Sequence, residues 1–120
     1  MKCLTLFFIL FVVIAHPANA RHHVKNQEGV SKSEQSYKIA TRAYRSGDYA
    51  TALMYLKPLA EQHHKKAQAT LGWMYESGKG VQRDYIMAFV WYELAVKNGH
   101  KKAHRNRNSA ESKLDDEELK

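Results

Sequence analysis

Cysteine is nearly missing from this sequence: the one residue of its kind, Cys3, stands at the start of an apolar run near the amino terminus. Beyond it no disulfide, thiol nucleophile or thiolate metal site can form, so a small exported domain must rest on its apolar core alone. A long hydrophobic run is missing too. The stretch from Cys3 to Ala15 covers 13 residues, well short of the ~20 that a membrane-spanning helix needs. Lys2 precedes it and Ala18-Asn19-Ala20 follows, the charge, apolar length and small-residue spacing of a secretory signal cut after Ala20. Residues 1–20 are therefore expected to be removed, leaving an exported chain, periplasmic or secreted, with no membrane span. The constellations of an enzyme are also missing. No nucleophile stands with a base, no carboxylates pair, and Gly78-Lys79-Gly80 lacks the flanking spacing and terminal Lys-Ser/Thr of a phosphate-binding loop. The expectation is a protein that is not an enzyme and needs no cofactor.

What the chain has in excess is positive charge. Loss of Lys2 takes its 19 lysines and arginines to 18 against 12 acids, a net charge of +6 with histidines neutral. Such a balance suits anionic partners. Export argues against nucleic acid and leaves acidic proteins, wall polyanions or lipid head groups, with solubility alone as the plainer use of the charge.

Helical periodicity organises the remainder. Arg21 to Lys32 has no periodicity and is expected to be a flexible leader. Ser31 and Glu34 have the spacing of a capping box ahead of a helix striped by Tyr37, Ala40 and Tyr44 and ended at Ser46-Gly47. Asp48 caps a second helix with Ala52, Leu53, Leu56, Leu59 and Ala60 on one side, and Pro58 is expected to bend it near Met54. Leu71, Met74 and Tyr75 stripe a third helix closed by Gly78; Asp84 opens a fourth, striped by Tyr85, Ala88, Phe89, Tyr92, Ala95 and Val96 and closed by Asn98-Gly99. Gly72, Ala88 and Ala95 keep the contact faces thin, so that the axes can approach closely. Ala103, Ala110 and Leu114 give a fifth helix one apolar side, and the acidic run 115–120 is expected to be a solvated tail.

Two of these hairpins are copies. Tyr-x-x-Gly occurs at Tyr44/Gly47 and Tyr75/Gly78, and Asp-Tyr-x-x-Ala at Asp48/Ala52 and Asp84/Ala88. The two offsets differ by the five-residue loop Lys79 to Arg83, inserted in the second copy. One hairpin cannot bury its own stripe, so the units must stack. The segment LGWMYESGKGVQRDYIMAFVWYELAVKNGHKKA, with GDYATALMYLKPLAEQ before it and AHRNRNSAESKL after it, resembles the Sel-one-like repeat, the α/α relative of the tetratricopeptide repeat. The resemblance covers most of residues 33–114. It implies an all-α fold, a short right-handed solenoid of about two Sel-one-like hairpins plus a C-terminal capping helix, and a role in binding a protein partner. It brings no catalytic residues. His63-His64 departs from the pattern, standing where the family usually has glycine between units and expected to end the second helix favourably against its dipole, and the array is short, with open ends that allow self-stacking.

By that resemblance the ligand face is the groove made by the first helix of each unit. Lys38, Arg42 and Arg45 share one face, Trp73 takes the position of Arg42 in the next unit, and Lys66 and Arg105 border the same surface. A basic groove with one aromatic anchor would take an acidic peptide or a chain-end carboxylate. Trp91 is expected in the core. Two other readings belong to different classes. One is an envelope enzyme acting on cell-wall polymer, which no residue supports. The other is copper or nickel binding at the processed terminus, where the Arg21 amine, two backbone amides and the His23 imidazole can close a square plane with His22 adding a further ligand. His100 and His104, four apart, make at best a weak metal pair without a third ligand.

Overall fold

A computed structural model describes the backbone of residues 17–118 and the side chains of residues 32–114 and 116. The chain divides into two units, Met1–Lys32 and Ser33–Lys120. The described residues form five helices and no strand: α1 (Pro17–Ser46), α2 (Tyr49–Glu61), α3 (Lys65–Ser77), α4 (Tyr85–Lys97) and α5 (Ala103–Glu118). The fold is the all-α repeat solenoid, with consecutive helices packed on one another. No described helix is long and apolar enough to cross a membrane.

Most of the helix ends follow from single residues. α1 stops at Gly47, whose φ of 83° is open to glycine at no steric cost, and the Asp48 amide turns back to the Ala43 carbonyl at 2.9 Å. The Asp48 and Asp84 carboxylates accept from the amides of Thr51 and Met87 at 3.1 and 2.9 Å, satisfying donors that the first turns of α2 and α4 leave free. Gly78, at φ 69°, closes α3.

The structure departs from expectation in three places. The backbone from Pro17 is helical through Arg21 to Lys32, where a leader without regular structure is expected, and α1 has no start at Ser31. Proline is well placed at a first helical position, where its absent N–H costs nothing, and no proline follows to stop the run. α5 also continues to Glu118, so the acidic residues expected in a solvated tail occupy its last turn. Between the two hairpins, His63 adopts φ 63° in the left-handed region. It stands where the next unit has Gly99, at φ 86°, and so takes up a glycine's conformation without being one. His64 then caps α3 through its side chain, Nδ1 accepting from the Ala67 amide at 3.1 Å, where a role at the end of α2 is the expectation.

Two apolar clusters hold Ser33–Lys120 together. Ala40 and Ala43 of α1 meet Ala52, Leu56, Leu59 and Ala60 of α2 and Ala67, Leu71 and Met74 of α3, with Trp91 packed half-buried against them. Ala88, Tyr92 and Ala95 of α4 pack with Ala103 and Ala110 of α5. Alanine recurs because small side chains let helix axes close to ~8–10 Å. Where α3 crosses α4, Gly72 lies under the Tyr92 ring, whose carbons would stand 2.7 Å from an added Cβ. Polar side chains bridge the same helices. The buried Gln68 amide donates to the Ala60 carbonyl at 3.0 Å and accepts from Asn98 at 2.9 Å, joining the ends of α2 and α4. Glu76 accepts from the Tyr92 hydroxyl at 2.7 Å and from Lys113 Nζ at 2.6 Å, fastening α5 to the hairpin before it.

Candidate partner-binding groove

The first helix of each hairpin and the capping helix share a groove of about 380 Å3. α1 contributes Tyr37, Thr41, Tyr44 and Arg45; α3 contributes Lys66, Ala69, Thr70 and Trp73; His100, before α5, and Asn106, on it, complete the wall. The α1 residues recur at helical spacing, so one stripe faces the groove while Ala40 and Ala43 face the core. Hydroxyls, amides, aromatic faces and cations make up this lining, and no carboxylate is among them.

Several contacts fix the wall. The Tyr37 hydroxyl lies 3.4 Å from Thr70 Oγ1, and the Trp73 indole N–H donates to the Tyr44 hydroxyl, joining α3 to α1. Trp73 nevertheless stays 45% exposed, an apolar surface open to a ligand. The tyrosine rings are more occupied. Tyr37 has the His64 ring at 4.9 Å and Lys66 Nζ 5.7 Å from its centroid. Tyr44 has Tyr49 at 5.5 Å and Lys79 at 5.6 Å. Glu34 stands 3.8 Å from Lys66 and 4.0 Å from His64, and at these distances on an exposed surface it offsets little of the lysine's charge. Burial, then the charges of Lys65, Lys102 and Lys66, hold the His100 imidazole below its ordinary pKa, so at neutral pH it stands in the groove uncharged, able to donate or accept a hydrogen bond.

Of the residues that the sequence assigns to the ligand face, the groove takes Arg45, Lys66 and Trp73. Lys38, Arg42 and Arg105 are exposed and lie outside its lining. The helical period accounts for Arg42, which falls about 60° beyond Arg45 at the edge of the stripe; Lys38 falls only about 20° beyond it. Sequence reasoning misses Thr41, Thr70, His100 and Asn106, and assigns Tyr37 and Tyr44 to the core stripe alone. The period of three to four linking Tyr37, Thr41 and Tyr44 is the signal that could have found the α1 wall. The side chains of Arg21, His22 and His23 lie outside the described ones. Among the described residues no three His, Cys, Asp or Glu gather as a metal site.

Comparison with known proteins gives the same unit. The family model described as "Sel1 repeat" matches residues 37–64 and again 65–100, the two hairpins with their turns. The curated chitin synthase regulator SKT5 of Saccharomyces cerevisiae is 53% identical over 38 residues, 32% of this chain. The chain spans 6% of that protein's length. No solved structure matches.

Proposed function

The chain belongs to the Sel1 repeat family, whose repeats are generally protein–protein interaction modules, and from that premise we propose that it is an exported adaptor or modulator that holds an acidic segment of a partner protein in its groove. One observation carries this reading: Arg45, Lys66 and Trp73 come from two helices into one concave lining that has no carboxylate. Arg45, which has no ion-pair partner among the described residues, can grip a carboxylate there, and the half-exposed indole gives an apolar foothold beside it. The relative's printed name makes it the regulator of an enzyme. A comparable role for this chain would need only the binding of one segment.

Export rests on Lys2, the apolar run to Ala15 and the Ala18-Asn19-Ala20 cut. The test of the whole reading is chemical cross-linking in the native compartment followed by mass spectrometry of the captured protein, with the Arg45→Glu, Lys66→Glu double variant beside the natural chain. Capture should fall sharply in the variant and weaken with salt in the natural chain, because exposed charges more than a Debye length apart, about 8 Å at physiological ionic strength, are screened. Equal capture by the two chains, with no salt dependence, would remove the groove from the account.

A further inference from the structure

Internal pairing leaves the cations of one edge unneutralised. Asp48 and Asp84 cap helices, and Glu34, Glu76 and Glu93 each hold a cation. Lys65, Lys101 and Lys102 have no ion-pair partner among the described residues, although Glu61 closes α2 at the same end. The fold collects these lysines. The Lys65 amine stands 3.9 Å from where a Cβ on Gly99 would lie, and the Asn98–Gln68 hydrogen bond holds the turn before α5 against the first turns of α3. Two helix N-termini therefore open on one edge, each adding its positive dipole end to the lysines. Lys66 and His100, next in sequence to Lys65 and Lys101, line the groove itself, so the basic edge continues one end of it.

The other end of the groove is aromatic. Trp73 stands seven positions after Lys66 on α3, a rise of roughly 10 Å, which an extended peptide covers in about three residues at ~3.3 Å each. We infer that the groove takes an extended peptide with one large apolar side chain on Trp73 and, about three residues away, a run of Asp or Glu that leaves over Lys65, Lys101 and Lys102. This rests on the peptide-binding reading above and adds a spacing and a direction along α3. A single-stranded nucleic acid, which would also bring negative charge, needs free aromatic faces for its bases. The Tyr37 and Tyr44 rings are already covered by His64, Lys66, Tyr49 and Lys79, which leaves Trp73 as a single platform and favours the peptide.

The experiment is fluorescence anisotropy on the full chain with three labelled synthetic peptides: tryptophan, two Gly/Ser spacers and four glutamates; the same residues with the glutamates beside the tryptophan; and the first peptide with glutamine for glutamate. The first should bind about tenfold more tightly than the other two, and Lys101→Glu with Lys102→Glu should cost it about tenfold and flatten its salt dependence. These lysines are exposed, and an unchanged thermal melt would show that the variant folds. Equal binding of the first two peptides would overturn the spacing while leaving groove capture of the native partner, read by the Arg45→Glu, Lys66→Glu variant, intact. Stronger displacement of the first peptide by an oligothymidylate or by phosphatidylglycerol vesicles than by its own unlabelled form would overturn the assignment to a peptide.

Discussion

Replacing Gly72 by alanine tests the close crossing of α3 and α4. An added Cβ would meet two carbons of the Tyr92 ring at 2.7 Å and a third at 3.0 Å, distances at which something must shift. The ring cannot move cheaply. It is fully buried, and its hydroxyl is held by Glu76 at 2.7 Å. Overpacking of a filled core costs about 1–3 kcal/mol, and a ring fixed at both ends belongs near the top of that range. Alanine returns about 1 kcal/mol of helix propensity, so a net loss of about 2 kcal/mol is expected, a fall in Tm of roughly 10 °C for a domain of this size. Circular dichroism at the helical band during heating and in urea measures it. The same substitution in a Tyr92→Leu background should cost much less, because the smaller side chain leaves room, and the difference is the coupling between the two sites. A Gly72→Ala chain as stable as the original would show that α3 and α4 do not cross this closely.

Three further outcomes are expected. His63→Gly should raise Tm by several degrees, since a non-glycine residue in the left-handed region costs about 1 kcal/mol and Gly99 fills the equivalent turn; a fall would mean that the His63 side chain contributes more than its backbone costs. The pH dependence should follow His64, whose pKa is held below its ordinary value by burial, with Glu34 opposing and Lys66 assisting. The unfolded chain then takes up the proton first, so stability is fully present above about pH 6.5 and is lost as pH falls through the folded value; His64→Asn, which keeps a cap acceptor without the titration, should flatten the urea midpoint between pH 7.5 and 5.5, leaving the same-sign slope of His100. Mass spectrometry of the exported protein should find Arg21 first, and that chain should bind Cu(II) with a square-planar spectrum lost on His23→Ala; any other first residue removes both.

The helix ends were legible wherever one residue fixes one hydrogen bond: Asp48, Asp84 and Gly78 act as their types predict, and the alternation of small and aromatic residues marks the Gly72–Tyr92 crossing. The parts that depend on which helix comes to lie opposite were harder to read. Glu76 looks like a surface residue in sequence, yet its side chain is only 9% exposed because Tyr92 and Lys113 converge on it from two other helices. Trp91, expected in the core, lies half-buried against it, and its indole nitrogen is buried without a partner among the described residues, a detail no periodicity carries. For the groove, the chain shows which residues share a face but not where the face begins. Rotations of only about 20° and 60° about the helix axis separate Lys38 and Arg42 from Arg45 at the edge of the stripe that faces the ligand.

The claim on which the rest depends is that partners enter the concave side. A photo-crosslinking residue placed in turn at Thr41, in the groove, and at Met54 and Ile86, each 63% exposed and outside the groove lining, would test it most directly in the native compartment. A covalent partner adduct from Thr41 that is missing from the other two positions is the predicted result. Adducts formed from Met54 or Ile86, with none from Thr41, would contradict it.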